Sequence, residues 1–287
     1  MQPAITLKKK DFEYALFQEL STWEDSDLKE VTFYALDGEA KRIRPLIALE
    51  IALALDPEYN NYHPMIALEL AHTSSLIMDD LPLMDDAELR RNKEAVHRVF
   101  GEQRALLSAV GLISESFLQL KKGAQKLMGT SLEKNRWDIL VSALEVTSRA
   151  GGLSGAPLGQ WFDLTISQEN PISLTTLMDK KTGVFFESAF VLGWIFGGGI
   201  LKLLPQVIES AQLFGAIFQA MDDFFDQEED ARERPFANFV LQNGESKTLI
   251  FLEEKKERLS ALLKVLNLVK LQQVLLEPLE SLLLIPR

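Results

Sequence analysis

Cysteine is absent from the 287-residue chain. That excludes disulfides, thiolate nucleophiles, zinc-thiolate sites and iron–sulfur centres. It is compatible with a cytoplasmic protein, which is the expectation here. Histidine is scarce: His63, His72 and His97 are the only three, with no cluster to hold a transition metal. Basic residues number 30 against 42 acidic ones, a net charge of −12, so nonspecific nucleic-acid binding is not expected. Long apolar runs are missing as well. The most membrane-like stretch, Ser188 to Leu201, is bounded by Glu187 and Lys202 and contains Gly197-Gly198-Gly199. It is too short to span a bilayer and reads as a buried core helix. The first residues reach Lys8-Lys9-Lys10 without the apolar stretch of a signal peptide, so none is expected. Alternating strand patterns, flexible linkers and short repeats are also lacking.

Helical periodicity fills the chain instead. Ile43, Leu46, Ile47, Leu49 and Leu53 follow three-and-four spacing, as do Leu259, Leu262, Leu263 and Leu266. Prolines at 57, 64, 82, 157, 171, 205 and 235 punctuate the pattern. The spacing predicts helices near 8–21, 26–36, 41–55, 63–80, 102–128, 133–150, 173–199, 206–229 and 246–264, with one more near the C-terminus. The expected architecture is all-α: one domain over residues 1–287, a large helical bundle around a central cavity.

Two acidic clusters stand out. Asp79-Asp80 and Asp85-Asp86 bracket Leu81-Pro82-Leu83-Met84, and Asp222-Asp223 precede Phe224-Phe225-Asp226. A solvated helix face is the plain reading of such runs. Each, however, directly follows an apolar helical stretch, at the rim of a core where unpaired charge is costly. Asp222 and Asp226, four apart, share a helix face. Pro82 is positioned to end the first helix and let Asp85 and Asp86 turn back toward Asp79 and Asp80. Carboxylates without His or Cys select hard cations, and Mg²⁺ commonly uses one or two of them together with substrate phosphates. Lys41-Arg42-Ile43-Arg44, Arg90-Arg91 and Lys180-Lys181 supply phosphate-type cations. Each basic patch alone is a solvated surface; the combination suits a diphosphate.

The segment Leu76 to Arg91 followed by His97-Arg98-Val99-Phe100-Gly101-Glu102 resembles the first aspartate-rich motif of short-chain trans-prenyl diphosphate synthases, the bacterial farnesyl and plant geranylgeranyl type. Gln219-Ala220-Met221-Asp222-Asp223-Phe224-Phe225-Asp226 resembles the second. Lys41-Arg42-Ile43-Arg44-Pro45, Gly159-Gln160-Trp161-Phe162-Asp163-Leu164 and Lys181-Thr182-Gly183 resemble three further motifs in the family's order. The resemblance implies an isoprenoid synthase-like fold and a Mg²⁺-dependent prenyltransferase, with Mn²⁺ as a possible substitute. It would condense isopentenyl diphosphate with an allylic diphosphate to give farnesyl or geranylgeranyl diphosphate, and it would be a homodimer. Asp79, Asp80, Asp85, Asp222 and Asp226 would hold the metal. Arg90, Lys181, Thr182 and Gln219 would contact the allylic diphosphate. Lys41, Arg44, His72 and Arg91 would bind isopentenyl diphosphate. Asp79, Asp80, Arg90, Lys181 and Asp222 would carry the catalysis. Without the resemblance, His72 reads as a buried helix histidine; His97 reads as structural.

Several positions depart from the family pattern. Glu39-Ala40 replaces a Gly-Gly pair, Asn92 a Gly, and Ser114-Glu115 and Glu229-Asp230 two Gly-Asp pairs. A diphosphate-binding Lys after the second cluster is missing; Arg234 or Lys247 are the candidates to replace it. A catalytically silent partner subunit on the same fold therefore stays an alternative, as does a class I terpene cyclase. Ser74 and Ser75 lie five and four residues before Asp79, roughly 6–7.5 Å back along a helix. In the resemblance they line the product chain. A serine at 74 leaves room beyond C15, with C20 favoured, unless Phe117 or Phe185 forms the floor.

Overall fold

The computed structural model describes residues 3–283. Among these residues it has fifteen α-helices and one two-stranded ribbon. The chain opens with α1 (Pro3–Ser21), α2 (Asp27–Leu36), α3 (Ile43–Leu55) and α4 (His63–Asp79). The ribbon of β1 (Leu89–Arg90) and β2 (Lys93–Glu94) follows, then α5 (Val96–Phe100), α6 (Glu102–Gln125) and α7 (Arg136–Gly151). Next come α8 (Ala156–Thr165), α9 (Leu174–Met178), a π-helical turn (Asp179–Gly183), α10 (Val184–Phe196) and α11 (Leu204–Phe225). Finally there are α12 (Gln227–Glu233), α13 (Phe239–Asn243), α14 (Glu245–Val265) and α15 (Val269–Leu283). The all-α expectation holds. The chain forms two compact units: residues up to Leu49 with Glu58–Leu144, and Glu50–Pro57 with residues from Glu145 onward.

The first unit is organised by α4 lying on α6. Pro64 sits in the first turn of α4, where its missing N–H costs nothing. Met65, Ile66, Leu68, Leu70 and Ile77 of α4 are buried, and α6 meets them with small residues, Ala105, Ser108, Ala109 and Ser116. Small side chains let two helices approach closely. Ser74 Oγ uses that proximity, donating to the Ala109 carbonyl at 2.8 Å. Asn61 Nδ2 donates to the Gly123 carbonyl at 2.9 Å, tying the start of α4 to the far end of α6.

The second unit is built on α10, α11 and α14. The apolar run read from Ser188 onward belongs to α10, a helix buried on nearly all sides. Phe186 packs edge-on against Phe214 of α11, ring centres 4.9 Å apart at 89°. Among the described residues no helix is long and apolar enough to cross a membrane.

Three differences from the sequence reading have local causes. Helix α8 was not anticipated because Pro157 reads as a break; it occupies the first turn of α8, where proline starts a helix rather than ending one. The expected continuous helix over 173–199 is interrupted by the π-helical turn. That turn lies under close backbone contact: a Cβ at Gly159 would stand 2.3 Å from the Lys181 nitrogen, and one at Gly215 would stand 3.0 Å from Gly183 Cα. The one extra residue in a π-turn re-aims the side chains that follow it. The ribbon 89–94 was not anticipated either. Its two-residue turn has both central residues at positive φ, Arg91 at 54° and Asn92 at 61°, the geometry that matches strand twist in tight hairpins.

Gly159→Ala therefore tests the packing of the π-turn. The opposing atoms are backbone and cannot swing aside, so overpacking of about 1–3 kcal/mol is expected. A drop of several degrees in thermal midpoint is the expected result; an unchanged midpoint would contradict the close approach of α8 to Lys181.

Candidate active site: two carboxylate clusters and their cations

In the first unit, α4 delivers Asp79 as its last residue and Asp80 as its cap. Pro82 lies just beyond, and the chain doubles back as expected: the Asp85 N–H donates to the Asp79 carbonyl at 2.9 Å and the Asp86 N–H to the Leu81 carbonyl at 3.2 Å. Asp80 is 2% exposed and faces inward, where Arg90 Nε and Nη2 donate to its Oδ1 at 2.9 and 2.5 Å. Burial raises the Asp80 carboxyl above its usual range, and Arg90 offsets only part of that. Asp79 is half-buried; Asp85 and Asp86 are exposed. His97 is buried, with Nε2 3.8 Å from Asp86 Oδ1.

The hairpin turn sends Arg91 elsewhere. Its Nη2 donates to Glu69 Oε1 at 3.1 Å and its Nη1 to the Ala35 carbonyl at 3.4 Å. Arg44 Nη1 lies 3.1 Å from His72 Nε2. Arginine can only donate, so Nε2 accepts and carries no proton. Burial, followed by the charges of Arg44, Arg91, Arg90 and Arg42, holds His72 well below the ordinary imidazole range. Lys41 is exposed. Arg44, His72 and Arg91 are thus gathered on one part of the first unit. Ser74 is fully buried against α6, whereas Ser75 is half-buried with its hydroxyl on the His72 carbonyl at 2.8 Å.

In the second unit, α11 carries Gln219, Asp222 and Asp223, and Asp226 caps it with its N–H on the Asp222 carbonyl at 3.0 Å. Asp222 and Asp226 are exposed; Asp223 is 4% exposed. A chain of hydrogen bonds runs inward from the π-turn. Thr182 Oγ1 donates to Gln219 Oε1, Gln219 Nε2 donates to Asp223 Oδ1, and Asp223 Oδ2 accepts from the Phe239 N–H, each at 2.8 Å. Asn238 Nδ2 donates to the Asp223 carbonyl and to Asp230 Oδ2, also at 2.8 Å. Burial pushes Asp223 up to about 6 despite the Phe239 and Gln219 donors. Lys181 Nζ and Arg234 Nη1 converge on one oxygen, Asp163 Oδ2, the second at 3.5 Å, and Arg234 Nη2 lies 3.5 Å from Asp230 Oδ1.

The donor set suits Mg²⁺ rather than a softer ion: oxygen only, with no sulfur and no imidazole among the outward carboxylates. Among the described residues no three acidic or imidazole groups form a complete cage. Mg²⁺ does not require one, because it keeps waters and completes its shell with substrate phosphate oxygens.

A sequence profile of the polyprenyl synthetase family matches residues 25–238. The chain belongs to that family. Geranylgeranyl pyrophosphate synthase 3, chloroplastic, of Arabidopsis thaliana is 32% identical over 212 residues, covering 72% of this chain. The match spans 57% of that relative's length. Among solved structures, an FPP/GFPP synthase of Zymomonas mobilis superposes with a TM-score of 0.80 at 26% identity, covering 95% of this chain and 96% of its own. A geranyltranstransferase of Thermotoga maritima gives 0.77 at 27%, covering 97% and 98%. The isoprenoid synthase-like fold follows from these matches.

Four residues of these clusters had no role assigned from sequence. Asp163 lay within a quoted motif, and Arg234 was one of two candidates for the absent lysine. Asp223 lay within the second acidic cluster without a role of its own, and Glu69 gave no signal, since a carboxylate whose partners are distant in sequence looks like any other. Asp222 and Asp223 now make a paired test. Asp223→Ala leaves the Phe239 N–H and Gln219 amide without their acceptor, at about 1–3 kcal/mol for each buried donor left unsatisfied. Its thermal midpoint should fall by several degrees, while Asp222→Ala should leave the midpoint nearly unchanged. Equal midpoints for the two variants would contradict the inward and outward assignment.

Proposed function

We propose that the protein is a Mg²⁺-dependent trans-prenyltransferase that joins isopentenyl diphosphate head-to-tail to an allylic diphosphate. One observation carries this reading. Twice in the chain an apolar helix ends in an aspartate pair, with one member turned inward, and the same unit holds arginine or lysine paired to a buried carboxylate. Both clusters are intact, which favours an active synthase over a silent partner subunit. The Arg44–His72 group has no use in a cyclase.

Asp79 and Asp85 from one cluster and Asp222 and Asp226 from the other are the residues that would hold Mg²⁺. Asp80 can add its Oδ2, since both Arg90 contacts use Oδ1. When bound, the metal neutralises charge developing on the diphosphate leaving group. The rest is the work of the chain. Arg90, Lys181, Thr182 and Gln219 bind the allylic diphosphate, with Arg234 serving beside Lys181 where the family's lysine is missing. Arg44, His72, Arg91 and Lys41 bind isopentenyl diphosphate, His72 entering as neutral imidazole. The allylic C–O bond breaks with both electrons going to diphosphate. The alkene of isopentenyl diphosphate then attacks the allylic cation, and the proton lost from the adjacent carbon goes to the departing diphosphate. No protein nucleophile is required. Preorganised donors aimed at the leaving group supply the stabilisation, and the cation has to be kept from water.

We read the chain as one catalytic domain, because the family match runs through both units. We read it as a homodimer, supported by Leu106, Leu107, Val110 and Leu118 of α6 standing exposed. The cytoplasmic placement rests on the cysteine-free composition; the Arabidopsis relative above carries a chloroplastic name.

Labelled isopentenyl diphosphate, offered with dimethylallyl, geranyl or farnesyl diphosphate and Mg²⁺, should be incorporated into longer diphosphates. EDTA should abolish incorporation and Mg²⁺ or Mn²⁺ restore it. Asp79→Ala should lower kcat by on the order of a hundredfold or more. No incorporation by the unaltered protein with any starter would refute the assignment.

Products longer than C15, with C20 favoured, are the proposed outcome. The placement of Ser74 moves the test to its neighbour. A ring at 74 would be driven into the α6 backbone at Ala109, while Ser75 is half-buried and one turn from Asp79. Ser75→Phe should shorten the main product toward C15 with the fold retained. An unaltered enzyme that stops at C15 under excess isopentenyl diphosphate would place the floor elsewhere, Phe117 and Phe185 being the candidates.

A further inference from the structure

Glu69 lies on α4 with 1% exposure and takes no part in the chemistry above. Two guanidinium groups share one of its oxygens. Arg42 Nη1 donates to Glu69 Oε1, and Arg91 Nη2 donates to that same atom at 3.1 Å. Arg42 is itself only 3% exposed. Its Nη2 reaches the Leu36 carbonyl and its Nε lies 3.4 Å from Glu13 Oε1. Its backbone stands at φ 53°, in the left-handed region that a non-glycine residue adopts only when its surroundings demand it. A buried, charged arginine in an unfavourable backbone conformation is not explained by helix α3, which starts one residue later.

The sequence neighbours of Arg42 supply an explanation. Lys41 precedes it and Arg44 follows two residues on. Arg44 is bonded to His72, which lies three residues after Glu69 on the same face of α4. Glu69–Arg42 and His72–Arg44 thus form two adjacent rungs between α4 and the segment that opens α3. Arg91 hangs on the lower rung from the hairpin side. Of the groups assigned to isopentenyl diphosphate, Arg91 is bonded to Glu69 directly, Lys41 and Arg44 stand within two residues of its other partner Arg42, and His72 lies about one turn further along α4. Two guanidinium groups repel in a buried setting, and a shared carboxylate oxygen lets them stand side by side.

We propose that Glu69 is the positioning residue of the isopentenyl diphosphate site: by pairing Arg42 and Arg91 on one oxygen, it sets Arg44, His72 and Arg91 at the spacing a diphosphate needs. This rests on the functional reading above and adds a residue that does not touch substrate. A carboxylate that only held the core together would affect both substrates alike.

Glu69→Gln keeps the volume and removes the charge. The expected result is a tenfold or greater rise in KM for isopentenyl diphosphate, with KM for the allylic substrate and kcat changed less than twofold. Calorimetric titration of isopentenyl diphosphate alone should show the same tenfold or greater weakening. Glu69→Asp restores the charge but draws the shared oxygen back by one methylene, so it should recover only part of the loss and leave Kd raised severalfold. Equal rises in both KM values, a fall confined to kcat, or an unchanged Kd would overturn the proposal. If Glu69→Gln does not fold, Glu69→Asp decides: a severalfold rise in Kd supports positioning and an unchanged Kd overturns it. Failure of both variants to fold assigns Glu69 to folding and also overturns it. An unaltered protein that binds isopentenyl diphosphate but does not elongate would end the functional reading, and the Kd comparison would still decide the role of Glu69.

Discussion

Each aspartate pair at the end of an apolar helix here divides its carboxylates between core and surface. Adjacent helical residues are about 100° apart around the axis, so one member points back toward the core. Asp80 and Asp223 are those members, at 2% and 4% exposure, each the second of its pair. The inward carboxylate must be compensated, and the two units do this differently. Asp80 is met by the guanidinium of Arg90, and Asp223 by an amide N–H and a carboxamide. Neutral donors compensate a buried charge less fully than a cation does. That accords with Asp223 being pushed up to about 6. The outward members, Asp79 and Asp222, are thereby left directed away from the core. The hairpin brings Arg90 to one inward aspartate, and the start of α13 brings Asn238 and Phe239 to the other.

This division explains what was legible beforehand. Period and punctuation are local, so α4, the Pro82 stop, the return of Asp85 toward Asp79 and the buried character of α10 could be read from neighbouring residues. The partners of buried charges are not local. Glu69 meets Arg42 and Arg91 across 27 and 22 residues, and Lys181 meets Asp163 across 18. Nothing in the text around Glu69 separates it from the many surface glutamates of an acidic chain. Short elements were lost for a related reason. Neither α5, with five residues, nor the two-residue strands carry enough periodicity to register, and the π-turn follows from close contact with Gly159 and Gly215 rather than from its own composition.

The departures from the family pattern are better understood in pairs than singly. Glu39 stands where a glycine is usual, and so does Asn92. In the structure Asn92 Nδ2 donates to Glu39 Oε2 at 3.1 Å. Asn92 has φ 61°, a conformation glycine adopts freely and asparagine tolerates better than most residues. Gly38, next to Glu39, stands at φ 133°. A side-chain bond thus links the two exchanged positions.

The absent lysine fits the same logic. A diphosphate site needs cations at a place, and the chain can supply one from a neighbouring position if something holds it there. Asp163 is 6% exposed at its side chain and already anchors Lys181, so a second cation drawn to it arrives beside the first. Arg234 does so, with Asp230 as its other contact and Asn238 fixing Asp230 in turn. One carboxylate oxygen of Asp163 thus gathers two cations, Lys181 and Arg234. On the proposed reading, a cation missing from one position of the chain is supplied from another by the carboxylate that holds it.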